Sequence, residues 1–263
     1  MRRFAALLWS LLFYVTSSEA HYNMLLPDKA WADKGDKVTF TYQFGHPFEH
    51  ELFDAPKPVA LLVFNPRGLK ENLDIEKKLT FIKKDALDGK KVAAWQFTFT
   101  PAERGDYTFF LKTPPIKVDD DATVEDIVRV VLHVQTQNGW DLMHRPFQSG
   151  VDIWPYTRPY GLLAGMVFKG RIVRLPFEDE FNSRDLQFVN GLPIEIEKYT
   201  EKSPKKLPPD ELITFKTKAD PQGFFAATLP EAGWWGVTAL THRGPKGMPQ
   251  QRATMWIHVD EKK

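Results

Sequence analysis

The residues best suited to chemistry stand in one stretch, Phe44-Gly45-His46-Pro47-Phe48-Glu49-His50-Glu51-Leu52-Phe53-Asp54. Two histidines and three carboxylates fall within nine positions, in a chain with only seven histidines. Neutral imidazole nitrogen is a common protein ligand for nickel, copper and zinc. His46 and His50 are four apart, and Pro47 suits the first position of a helical turn. Such a turn would bring both rings onto one face, which makes half a metal site. A solvated loop with unrelated histidines has the same composition, so the pair alone decides little. What strengthens the metal reading is a third histidine, His21, at the expected start of the mature chain.

That start follows from the leader. Arg2 and Arg3 form a basic opening, Phe4 to Val15 is almost unbroken apolar sequence, and Ser18-Glu19-Ala20 is a small-x-small cleavage site. The run is short for a membrane span, so residues 1–20 read as a signal peptide and the mature protein as periplasmic or secreted, without stable membrane insertion. Cleavage after Ala20 would free the amine of His21, which can close a chelate ring with its own Nδ1. The expected metal set is therefore His21, His46 and His50, with Glu49 and Glu51 beside them. These two carboxylates and Asp54 could orient the imidazoles as hydrogen-bond acceptors.

Composition narrows the alternatives. There is no cysteine, which removes thiolate metal sites, thiol catalysis and disulfides. Arg2, Arg3 and Glu19 leave with the leader, so Lys+Arg falls from 35 to 33 and Asp+Glu from 34 to 33. A balanced charge argues against nucleic acid or an anionic membrane as partner. Ser149 and Ser183 lack a GxSxG setting, and no glycine-rich phosphate loop is present. No enzyme is expected.

The elements that must position the histidines are strands. Val38, Phe40, Tyr42 and Phe44 alternate with polar residues, as in a half-buried antiparallel strand that ends at the histidine loop. Short strands recur between turn signals, with no long helical period, which is the pattern of β-sandwiches. Gly105-Asp106-Tyr107 suits an immunoglobulin-like corner. The expected organisation is all-β: an N-terminal β-sandwich over 21–145, then a connector and a C-terminal β-sandwich over 146–263. Residues 141–160, rich in proline and aromatics, read as the connector. His133, His144, His242 and His258 read as structural or solvated, though His133, His144 or His242 could join the metal site.

The combination of His21-Tyr22-Asn23-Met24-Leu25-Leu26-Pro27, the GHPFEHELFDAPKP loop and a strand followed by NGWD resembles a domain-of-unknown-function family. Its members are described as nickel uptake transporter proteins or periplasmic components of cobalt and nickel transport. GLPIEIEKY and DPQGFFAATLPEAGWWGVTAL resemble its C-terminal module, which is similar to transthyretin-like and carboxypeptidase-regulatory sandwiches. The resemblance implies a metal role for His21 and the His46/His50 loop, nickel or cobalt as cargo, and an inner-membrane metal transporter as partner. Some members carry a C-terminal membrane anchor. None is read in these residues, so a diffusible subunit is expected.

Nitrogen ligands would also hold copper, and more tightly. Two rivals follow. One is a copper monooxygenase with an N-terminal histidine brace, for which Tyr22, Trp140 or Trp154 could supply the axial aromatic. The other is a non-metal, adhesin-like module of two sandwiches. The leader reading predicts that N-terminal sequencing of the exported protein starts at His21. A start two or more residues away removes the amine from the ligand set.

Overall fold

The computed structural model describes residues 21–87, 89–117, 123–136, 138–139, 144, 150–175, 187–241 and 249–262. The expected leader and residues Trp140 and His242 lie outside them. In chain order the first strands are β1 (Tyr22–Pro27), β2 (Trp31–Ala32), β3 (Val38–His46), β4 (Glu51–Phe53), β5 (Ala60–Phe64), β6 (Lys70–Asn72), β7 (Thr80–Asp85), β8 (Lys91–Phe99), β9 (Gly105–Lys112), β10 (Ile116–Lys117) and β11 (Thr123–Val134). The second half adds β12 (Gly150–Pro155), β13 (Leu162–Leu163), β14 (Met166–Leu175), β15 (Gln187–Phe188), β16 (Pro193–Lys198), β17 (Thr214–Lys218), β18 (Phe224–Leu229), β19 (Gly233–Leu240) and β20 (Gln250–Asp260).

The all-β sandwich architecture is as the sequence implies, but its two halves share a wall. The first sheet runs β1-β3-β8-β7, with β4 on β3. The central sheet runs β17-β16-β19-β20-β11-β9-β5-β6 and so draws on both halves. Its seam is a parallel pairing of β11 with β20, from Val124 opposite Gln250 to Val130 opposite Trp256. The third sheet runs β12-β14-β15, with β18 on β14. The connector expected over 141–160 therefore contains a sheet strand, β12, whose Val151 and Ile153 are fully buried.

Side-chain alternation sends the two cores to opposite faces of the central sheet. Val128, Val130, Leu132 and Val134 of β11, with Trp256 of β20, pack under the first sheet. Val131 of β11 and Ala253, Met255, Ile257 and Val259 of β20 pack under the third.

Polar groups pin these layers together. Asp126 on β11 is paired through both carboxylate oxygens with Arg252 on β20. Asn23 on β1 donates to Asp126 Oδ2 at 2.7 Å and accepts from the Tyr42 hydroxyl of β3 at 2.6 Å. The indole of Trp256 donates to the Asn23 carbonyl at 3.0 Å. On the opposite face Arg129 of β11 meets Asp152 of β12 at 2.5 Å and donates to the Ile153 carbonyl at 2.9 Å. Burial pushes the Asp152 carboxyl up to about 6, even against the attraction of Arg129.

Removing one partner of a buried pair strands the other charge. Asp126→Ala is expected to cost about 3–5 kcal/mol in urea denaturation. A loss below about 1 kcal/mol would mean that Arg252 finds water or another partner.

Candidate metal centre

The first sheet builds the centre by register. Tyr22 lies opposite Gly45, so the residue before β1, His21, comes beside His46 at the end of β3. The two rings stack, with centroids 4.6 Å apart and planes inclined by 30°. Phe53 of β4 meets both edge-on, at 5.0 Å from His21 and 5.5 Å from His46. Phe44 lies 5.7 Å from His21. An apolar aromatic wall thus surrounds the imidazole pair.

Residues 47–50 form a tight reversal between β3 and β4 rather than a turn of helix. Gly45 makes this closure possible. Its φ is 149°, and a Cβ there would stand 2.0 Å from the Glu51 carbonyl oxygen. The hairpin places Glu51 opposite His46. Glu51 Oε2 lies 3.2 Å from His46 Nδ1. A carboxylate at Nδ1 favours the tautomer with its proton there and a lone pair on Nε2. His46 Nε2 is buried and has no hydrogen-bond partner. An unsatisfied buried acceptor costs about 1–3 kcal/mol, and a cation placed there would relieve it.

His50 is withdrawn from the pair. It adopts a left-handed backbone, φ 53°. Its Nδ1 lies 2.8 Å from the Thr200 carbonyl, and its ring leans on Tyr199 at 5.8 Å. Burial holds its imidazole below the ordinary value, against the smaller opposing effect of that carbonyl. The same contacts clamp the whole turn. Thr200 donates its N–H to the Pro47 carbonyl at 3.0 Å and its hydroxyl to that of Phe48 at 2.7 Å. Phe48 donates its N–H to Glu197 Oε1 at 3.2 Å. His50 is thus part of a lock between the turn and the end of β16, which sequence spacing could not reveal.

The carboxylates also divide. Glu51 orients His46, whereas Glu49 makes no ion pair among the described residues. Asp54 accepts from the Ala93 N–H at 2.7 Å and serves β8 instead of an imidazole. Among the described residues no group of three His, Asp or Glu side chains is arranged to hold a metal. Sequence reasoning missed Phe53 as the ring that faces both histidines.

The other expected participants stand elsewhere. Tyr22 is fully buried, with its hydroxyl 3.3 Å from Glu195 Oε2. His144 and Trp154 stack on each other at 5.2 Å. His133 Nδ1 lies 2.6 Å from Asp106 Oδ1, and His258 Nδ1 lies 3.5 Å from Asp260 Oδ1.

The chain belongs to the family described as "Domain of unknown function (DUF4198)", which matches residues 18–243. No curated protein is similar to it in sequence at a significant level. Among solved structures it is similar to a Ca2+-stabilised adhesin with which an Antarctic bacterium binds ice, at 8% identity and TM-score 0.26, over 87% of this chain and 45% of that one. It is also similar to the adhesin InvE of Yersinia pseudotuberculosis, at 8% identity and TM-score 0.23, over 90% and 59%. A third is the trypsin-activated alpha-2-macroglobulin of Escherichia coli, at 12% identity and TM-score 0.26, over 92% and 16%. The chain thus spans less than half of the first of these, and likenesses at this level carry no argument about function. Among the described residues no helix is long and apolar enough to cross a membrane.

The clamp has a pH signature. Burial raises the Glu197 carboxyl to about 7, against hydrogen bonds from Thr214 and Phe48. A value raised in the folded state means that folding favours the proton. This contribution is complete below the unfolded value near 4.5 and is lost as pH rises through about 7. Stability should therefore fall by about 3 kcal/mol across that window. Glu197→Gln, which keeps an acceptor oxygen, should flatten the slope in thermal melts taken from pH 4 to 8. An unchanged slope would show that Glu197 is not its source.

Proposed function

We propose that this protein binds a late first-row transition metal ion between His21 and His46 and delivers nickel or cobalt to an inner-membrane importer. The observation that carries the reading is the buried, partnerless Nε2 of His46, stacked against a second imidazole and oriented from behind by Glu51. These residues fit such an ion: two imidazoles, a carboxylate that fixes one tautomer, and an apolar wall. Cleavage after Ala20 adds the His21 amine as a third nitrogen. His50 and Glu49 leave the ligand set, and Glu51 acts through His46. The cargo assignment rests on the resemblance to nickel and cobalt uptake components, and export from the cytoplasm rests on the leader read in residues 1–20. Coordination chemistry alone would favour copper.

The withdrawal of His50 favours one second reading. Two imidazoles and a terminal amine are also the ligands of a copper histidine brace. Copper- and reductant-dependent cleavage of a polysaccharide by the purified protein would select that reading, and its absence alongside nickel binding would support delivery.

Calorimetry of the cleaved protein separates the roles of the histidines. His46→Ala should weaken nickel or cobalt binding at least about tenfold, or roughly 1.4 kcal/mol. His50→Ala should leave affinity within about threefold and instead cost about 1 kcal/mol of stability. One alanine added before His21 should also weaken binding about tenfold, because the His21 nitrogen becomes an amide. Equal affinity for native protein and His46→Ala would remove the site.

A further inference from the structure

A second site lies where the central sheet splits. β11 and β20 pair up to Val130 and Trp256 and then part. Beyond that point β11 takes β2 as its parallel neighbour, with His133 opposite Trp31. β20 takes β13 instead, with Leu162 opposite Val259. Two added strands line the two freed edges, and a crevice opens between them. It encloses about 290 Å³ and is lined by Trp31, His133, Arg158, Tyr160, His258 and Asp260, with Ala30 and Gly161 at its margin. That volume lies at the small end of ligand sites and suits a single-ring molecule.

The walls are built. Asp106, buried behind the crevice, accepts from the Tyr160 hydroxyl at 2.7 Å and holds His133 Nδ1 at 2.6 Å. His133 and Tyr160 stack face to face at 4.2 Å and 13°. With Nδ1 engaged, Nε2 is the nitrogen that His133 has left for a ligand. Asp106 is engaged by His133 and Tyr160, and Asp260, the carboxylate in the lining, lies 3.5 Å from His258 Nδ1. Arg158 packs over Tyr160, 5.8 Å from the ring centroid, and has no carboxylate partner among the described residues. Arg158 also hydrogen-bonds the Tyr160 hydroxyl, which fixes its position beside the crevice. Trp31 is 64% exposed and presents a large apolar face. A guanidinium so held, with further N–H donors, in the same crevice as an exposed indole is the chemistry of a flat organic carboxylate.

We infer that this crevice binds a small, flat organic carboxylate, with its charge on Arg158 and its ring against Trp31. It shares no residue with the metal centre. β1 separates the two, since its six residues span about 20 Å from His21 towards the loop that leads to Trp31.

The test uses benzoate as probe, with the metal-free exported protein. Nitrogen-15 spectra report the Trp31 indole, identified by its loss in Trp31→Phe. Benzoate should shift that signal and saturate below about 10 mM, a weak but specific affinity. Neutral benzamide should bind at least tenfold more weakly. Arg158→Ala and Trp31→Ala should each weaken benzoate at least tenfold. If Arg158→Ala disturbs Tyr160 and lowers the melting point, the exposed Trp31→Ala variant carries the test. No shift at about 10 mM benzoate, or equal binding of benzamide, overturns the proposal.

Discussion

The structure depends on one buried ion pair. Asp126 and Arg252 stand on strands that are neighbours in space and far apart in sequence. Each has lost its hydration, so each is tolerable only while the other is present. Asn23 uses the pair as an anchor, and through it β1 is fixed in register on β3. That register decides where His21 falls. A one-residue slip would turn every side chain of β1 over and separate the imidazoles. The placement of the imidazole pair at the sheet end thus rests on electrostatics several residues away.

Around the imidazole pair the fold supplies three different services. Gly45 lets the hairpin close, Glu51 sets one tautomer, and the aromatic rings of Phe44 and Phe53 keep the surroundings apolar. The clamp from β16 then holds the turn still from the C-terminal half of the chain. Such division allows the histidine face to stay free of structural hydrogen bonds on one nitrogen. A loop without the clamp would let His46 seek its own partner.

Much of this was legible in the sequence, and the failures share a cause. Alternation in Val38–Phe44 revealed a strand, and the rarity of histidine singled out His21, His46 and His50. Pro47 suggested a helical turn, but Gly45 and the pairing of Leu52 with it impose a hairpin. The role of His50 depends on Thr200, 150 residues away, and no local pattern encodes it. The shared sheet was hidden for the same reason, because parallel pairing of β11 and β20 leaves no turn signal between them. β12 was concealed inside a stretch whose prolines and aromatics read as a connector. Local periodicity reports faces of strands; it does not report which distant strand lies alongside.

The seam between β11 and β20 has a consequence for how the chain comes into being. Among the described residues β20 follows every other strand in the chain, yet it occupies the middle of the central sheet and contributes Trp256 to the core beneath β1. The indole of Trp256 reaches back 233 positions to the Asn23 carbonyl. Synthesis delivers the N-terminal half first. That half must wait with an open sheet edge and an incomplete core until β20 arrives. Its early strands are therefore held available, in an unfinished form, for the whole time the segment from β12 to β20 is being made.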